Sequence, residues 1–225
     1  MSNDPWITFD CFGTLIDWLS GYRTALVPLA GSRVDELIQS YHVVEAEIEA
    51  AQPHRSYSDV LTVSLKEAAL RINLTISEDQ TSILVREWAK LPLYSDAKSA
   101  LASLRTNGWN IGILTNCDNG LLAKTLGRYS ILKPDMTVTS EQVKSYKPNL
   151  GHFLWFERQA VVSLERWVHV GCSVFHDIEP AHYHGISCIW IDREKTGVKP
   201  ASANWVLPDL VDLPQIVDKL IQTRC

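Results

Sequence analysis

The order of apolar and polar positions divides the chain into two kinds of segment. Residues 6–9 are a short apolar run close to the start. The run is too brief for a helix and is expected to be a strand buried on both faces of a parallel sheet. After Thr14 the spacing becomes helical. Residues 18–30 look helical but interrupted by Gly21 and Pro28. Over residues 32–51 Leu37, Tyr41, Val44 and Ile48 recur at helical intervals, with Ser32 expected as the cap, Asp35 and Glu36 at the positive end of the dipole, and Pro53 as the stop. A further helix is expected to open at residues 56–59, burying Val60, Val63, Leu65, Ala68 and Leu70. A third is expected over 77–90, capped by Ser77. From Leu93 onward helix and strand alternate. Helices are expected at 96–107 (closed by Gly108), 120–129, 149–159, 178–184 and 213–222. Strands are expected at 109–114, 136–139, 167–171 and 186–191, the last clear one. Such alternation implies an α/β fold, a parallel sheet with helices on both faces. The helical stretch after the first strand implies an inserted all-helical cap. The expected division is a core domain of residues 1–14 and 94–225 and a cap domain of residues 15–93.

Composition narrows the function classes. The 225 residues are 46% hydrophobic and 21% charged, with a net charge of −5. That is globular composition, and the charge together with the lack of a basic tract argues against nucleic acid as a partner. No apolar run approaches the roughly 18 residues of a membrane-spanning helix. The first residues lack a signal-peptide layout, so the cytoplasm is the expected location. The five cysteines, Cys11, Cys117, Cys172, Cys188 and Cys225, form no CxxC pair and are expected to be reduced thiols.

The candidate chemistry stands at strand ends. Asp10 follows the first strand, where open α/β sheets place their ligands. Gly13 allows a tight turn and close approach of an anion, and Thr14 can hold the carboxylate. Thr115 and Asn116 end the second strand, Lys147 lies on a loop before a helix, and Asp177 follows another strand. In one parallel sheet these ends share one rim, and a carboxylate, a hydroxyl–amide pair, a lysine and a second carboxylate together make a nucleophilic site. His176, His182 and His184 are read as surface or capping residues. Phe153, Trp155 and Phe156 are read as helix packing.

These four motifs resemble those of the haloacid dehalogenase superfamily: Phe9-Asp10-Cys11-Phe12-Gly13-Thr14-Leu15, Ile113-Leu114-Thr115-Asn116, Tyr146-Lys147-Pro148, and His169 through Asp177. The helical insert is similar to the cap of the 2-haloacid dehalogenase subgroup. The resemblance implies a Rossmann-like core with Asp10 as the nucleophile that forms a covalent intermediate. Thr115 and Asn116 would orient the aspartate and the substrate's anionic group, Lys147 would neutralise the gathered charge, and Asp177 would position Lys147 or a water. Cys11, Phe12, Gly13, Cys172 and Ser173 would line the substrate site. Lys147 is expected to lower the pKa of Asp10.

Within the superfamily, phosphatases carry a second aspartate two residues after the nucleophile. Here that position is Phe12, which cannot protonate a leaving oxygen. The acid that helps hold Mg²⁺ is replaced by Cys172, a poor ligand for a hard cation. No cofactor is therefore expected, although Asp10, the Phe12 carbonyl and Asp177 remain if Mg²⁺ binds. The 2-haloacid dehalogenases use a cap arginine for the substrate anion; here the corresponding region reads Gln39-Ser40-Tyr41-His42. Arg55, Arg23 and His42 are the candidate substitutes, Arg55 first. Phe153 and Val174, at two further positions of the family pattern, are expected to make the pocket less polar. The leading expectation is hydrolytic dehalogenation of a small anionic substrate, a 2-haloacid or related compound. The alternatives are a Mg²⁺-dependent phosphatase and a catalytically weakened binding protein. The resemblance also allows a homodimer.

Overall fold

The structure, a computed structural model, describes residues 4–51 and 53–222. Residues 1–3 of the expected core domain and the Cys225 thiol lie outside the described residues. Six parallel strands form one sheet: β1 (Trp6–Phe9), β2 (Asn110–Thr115), β3 (Met136–Thr139), β4 (Trp167–Gly171), β5 (Ser187–Ile191) and β6 (Trp205–Leu207). Their order across the sheet is β3-β2-β1-β4-β5-β6. The chain therefore winds one way from β1 through β2 and β3, then returns to the other side of β1 with β4. Phe9 registers with Ile113 on one side and with Val170 on the other. The ends of β1, β2 and β4 thus lie together at the switch point, where such sheets bind ligands.

Alternation along each strand feeds two cores. Ile7 and Phe9, Ile111 and Ile113, Val168 and Val170, and Ile189 and Ile191 all point into one cluster. Trp6, Leu114, Trp167, Cys188 and Trp190 point into the other, with Phe153 and Phe156. The first cluster continues without a break into the helices that follow β1, taking in Leu26, Leu37, Tyr41, Leu65 and Trp88. Five flanking helices belong to the sheet's own wrapping: α5 (Ala97–Thr106), α6 (Asn119–Arg128), α8 (Gly151–Ala160), α9 (Glu179–Tyr183) and α10 (Leu213–Gln222), with the short α7 (Ser140–Val143) after β3. Among the described residues no helix is long and apolar enough to cross a membrane.

The helical layer comprises α1 (Trp18–Ala30), α2 (Val34–Ala50), α3 (Tyr57–Arg71) and α4 (Ile83–Glu87). It differs from the expectation at several points. Gly21 and Pro28 do not interrupt α1. Pro28 falls in its last turn, where only one backbone bond is forfeited, and Gly21 packs against Leu91 where a Cβ would collide. Ser32 does not cap α2; it lies in a 3₁₀ turn over Gly31–Arg33, and the helix starts after Arg33, whose guanidinium bonds Glu36 and the Ile72 carbonyl. In α3 Val63 and Leu70 are exposed, because the buried stripe runs through Val60, Leu61, Leu65, Ala68 and Ala69. The stretch 77–90 is not one helix: 3₁₀ turns over Glu78–Ser82 and Trp88–Lys90 flank α4. Finally, β6 is an additional strand.

Two linkers join the layer to the sheet and pair with each other. Ile16 bridges Leu93 in antiparallel fashion, the Asp17 amide donates to the Pro92 carbonyl at 2.8 Å, and the Tyr94 amide donates to the Leu15 carbonyl at 2.9 Å. A second tie is made by Asp118, in the loop after β2. Its carboxylate accepts the amides of Tyr57 and Ser58, each at 2.7 Å, and the Ser58 hydroxyl at 2.8 Å. The negative charge thereby sits on the positive end of α3.

Candidate active site

Asp10 continues the β1 ladder by one residue, its amide donating to the Val170 carbonyl at 2.9 Å. The chain then curls back: Leu15 and Ile16 both donate to the Cys11 carbonyl, and Gly13 donates to the Ile16 carbonyl. Gly13 has φ +104°, and a Cβ there would stand 2.5 Å from the Cys172 sulfur, so this turn requires glycine twice over. The curl places the Thr14 hydroxyl against Asp10, donating to Oδ2 at 2.9 Å.

Lys147 arrives from far along the chain. Its backbone is clamped by Asn116: the Lys147 amide donates to Asn116 Oδ1 at 2.7 Å, and Asn116 Nδ2 donates to the Lys147 carbonyl at 3.3 Å. The side chain is buried and its Nζ finds three acceptors: Asp10 Oδ1 at 3.0 Å, the Leu114 carbonyl at 3.0 Å and Asp177 Oδ1 at 2.5 Å. Three donors meet three acceptors. Asp177 is delivered by a π-helical turn over Val174–Ile178 and also accepts the Ser173 amide at 3.2 Å. It lies so close to β4 that a Cβ on Gly171 would overlap it.

A further chain of polar groups backs Asp177. The Trp167 indole donates to the Thr8 hydroxyl at 2.8 Å, which lies 2.9 Å from His169 Nδ1. His169 Nε2 then faces Asp177 Oδ1 at 3.7 Å. Burial drives the pKa of His169 down, so this imidazole is uncharged.

Charge is unequally shared across the triad. Asp177 would be raised by its burial, but the Lys147 charge and His169 hold it well below the usual carboxylate range. Lys147 is desolvated, yet the two aspartates together keep it firmly protonated. Asp10 differs from the expectation. Its burial outweighs the attraction of Lys147, and the Asp177 charge adds to the effect, lifting its pKa to about 6. Lys147 Nζ lies closer to Asp177 Oδ1, at 2.5 Å, than to Asp10 Oδ1, at 3.0 Å.

Above this triad opens a cavity of about 270 Å³. Its floor is formed by Asp10, Thr115, Asn116, Lys147, Cys172, Ser173, His176 and Asp177. Its wall is formed by Phe12 and by Trp18, Tyr22, His42, Glu45, Glu49, Tyr57 and Trp88 from the helical layer. Cys11 and Thr14 lie buried beneath the floor. Among the described residues Thr115 makes no hydrogen bond to Asp10; its hydroxyl engages Cys117, and the carboxylate accepts from Thr14. The Asn116 amide is likewise occupied by the Lys147 backbone.

The arginines expected to serve the substrate are elsewhere. Arg55 is exposed and does not line the cavity; its carbonyl accepts the Tyr146 hydroxyl. Arg23 is exposed and pairs with Asp35. Among the described residues no arginine lines the cavity, while His42 does. Phe153 and Val174 do not line it either: Phe153 is fully buried against Trp167 and His169. The wall residues Glu45, Glu49, Trp18, Tyr22, Tyr57 and Trp88 and the Trp167–Thr8–His169 chain were not anticipated from sequence. A trace of the wall exists in α2, where residues 38, 42, 45 and 49 share one helical stripe.

Asp10, Cys172 and Asp177 bring one ligand atom each within 4.8 Å of one another. The donors do not suit Mg²⁺. Enclosure pushes the Cys172 thiol well up, so it is neutral, and the Lys147 ammonium already bonds both carboxylates.

The arrangement can place an ionisable carboxylate against a substrate carbon in a small aromatic chamber. Relatives share its frame. The (S)-2-haloacid dehalogenase 2 of Pseudomonas sp. (strain CBS-3) is 21% identical over 221 residues, covering 94% of this chain and 95% of the relative. The L-2-haloacid dehalogenase of Xanthobacter autotrophicus superposes with a TM-score of 0.84 at 18% identity, over 96% of this chain and 98% of that one. The same enzyme with chloropropionic acid covalently bound superposes with a TM-score of 0.81, at the same identity and coverage. At these identities the likeness establishes the fold. The family model for haloacid dehalogenase-like hydrolases matches residues 34–191, well over half of the sequence, and the chain therefore belongs to that family.

Proposed function

We propose that the chain hydrolyses the carbon–halogen bond of a small 2-haloacid or related compound through an ester on Asp10. The observation that carries this reading is the fixed Asp10 carboxylate at the cavity floor, held by Thr14 and Lys147, with Phe12 where an acid for an oxygen leaving group would stand. In the first step an Asp10 oxygen attacks the carbon, a C–O bond forms, and the halide leaves with the bonding pair. In the second, water adds to the ester carbonyl and the acyl C–O bond breaks. Asp10 is regenerated as carboxylate, the product leaves as an alcohol, and one proton is released. His176 lines the cavity beside Ser173, and burial holds its imidazole below its ordinary pKa, so it is a neutral base within the chamber for that proton. Lys147 spreads the charge of both steps. Residues 15–93 act as a cap that keeps bulk water from the first step.

A phosphatase is the second reading, supported by the shared triad of Asp10, Lys147 and Asp177. Phe12 and the neutral Cys172 thiol weigh against it. The test is intact-mass detection of an adduct on the wild-type protein across halogenated acids and phosphate esters, with halide and phosphate release measured alongside. A halide-dependent adduct that maps to Asp10 is expected. Phosphate release without halide release would reverse the reading.

A further inference from the structure

The wall of the cavity carries charge of a sign that an anion would not seek. Glu45 and Glu49 both line it from α2, and among the described residues no arginine faces them. Glu45 is fixed in place, accepting the hydroxyls of Tyr41 at 2.7 Å and Tyr57 at 2.8 Å, with His42 Nδ1 3.4 Å away. Glu49, one helical turn further on, lines the same space with no hydrogen-bond or ion-pair partner among the described residues. Aromatic rings complete the enclosure. Trp18 packs on Tyr22 at 5.3 Å between centroids, and Tyr57 packs on Trp88 at 5.7 Å. Trp18, Tyr22, Tyr57 and Trp88 all line the cavity.

Two carboxylates surrounded by aromatic rings make the environment that an organic ammonium ion prefers, through ion pairing and attraction to ring faces. We propose that the cavity takes a ligand whose end remote from Asp10 is a protonated amine, bound by Glu45 and Glu49 within the aromatic wall. That this ligand is the substrate, an organic halide bearing an ammonium group, rests on the Asp10 reading above. Among the described residues no arginine or lysine forms an ion pair with either acid; the ionisable partner of the pair is His42, beside Glu45. Enclosure and the neighbouring Glu45 push the Glu49 carboxyl well above its ordinary range, against the pull of Lys147, and a bound cation would bring it back down.

The test is calorimetric titration of the intact protein at neutral pH with n-butylammonium and with butyrate, probes that differ in the sign of the terminal charge. The ammonium is expected to bind at least about tenfold more tightly, a difference of ~1.4 kcal/mol. The Glu45→Gln/Glu49→Gln double variant is expected to lose that preference. The single Glu49→Gln variant, at a carboxylate with no hydrogen-bond or ion-pair partner among the described residues, carries the comparison if the double variant does not fold. Equal or tighter binding of butyrate, or no binding of the ammonium, overturns the proposal. The two readings fail separately. Ammonium binding without an Asp10 adduct from any halide would support this inference and sink the dehalogenase reading. An Asp10 adduct from haloacids with no ammonium binding would do the reverse.

Discussion

The floor and the wall of the cavity are built on different principles. The floor is a closed circuit: each Nζ–H of Lys147 has an acceptor, each aspartate is held by at least two donors, and the Asn116 amide locks the loop that carries the lysine. The wall is open-ended: Glu49 has no partner among the described residues, and the Trp88 indole nitrogen is buried without one. Satisfied groups are already positioned for chemistry, and unsatisfied ones are positioned for something that is not yet there. On the reading proposed above, the contrast puts reaction on the sheet and recognition in the helical layer.

Substitutions can break that contrast or sharpen it. The largest effect is expected from Asp10→Asn, which removes the attacking oxygen while keeping shape. Halide release should fall by at least about 10⁴-fold with an unchanged circular-dichroism spectrum. Lys147→Met strikes the floor's centre. Turnover should fall about 10³-fold, and stability by ~3–5 kcal/mol in chemical denaturation, because two buried carboxylates lose their counter-ion. The pH profile sharpens the picture of the floor. In the proposed reaction Asp10 attacks only when ionised, and its pKa is lifted to about 6. Thus kcat/KM should be flat above that value and fall about tenfold per pH unit below it. The smallest effect is expected at the seam between floor and wall. Asp118→Asn removes the charge from the α3 terminus, which should cost ~1 kcal/mol and lower Tm by about 2–4 °C. It should also raise KM more than it lowers kcat.

Much of the floor could be read in the sequence because it stands at strand ends. A short apolar run that stops at a polar residue marks such an end, and parallel topology gathers the ends on one rim, so Asp10, Lys147 and Asp177 could be linked across more than 160 residues. What those side chains bond to could not be read. The Asn116 amide and the Thr115 hydroxyl are engaged by the Lys147 backbone and by Cys117, contacts that depend on loop conformation. The pKa of Asp10 went the other way because burial, invisible in sequence, outweighed a visible lysine. The wall was missed for a different reason. Helical periodicity identifies the stripe that faces the core, Leu37, Tyr41 and Val44, but a polar stripe reads as solvent-facing. Glu45 and Glu49 face an internal space that exists only once α2 lies over the sheet. The strand β6 was missed because it is three residues long and only its last residue, Leu207, is buried.

The surroundings of the Lys147 nitrogen carry one more consequence. Its acceptors come from the end of β1, from β2 and from the π-helical turn after β4, and converge on a single atom. A guanidinium is flat and spreads its donors around a rim, so it cannot satisfy three acceptors gathered about a point. An arginine here would keep the positive charge and still prise the strand ends apart, so at this position the two basic side chains are different parts rather than alternatives.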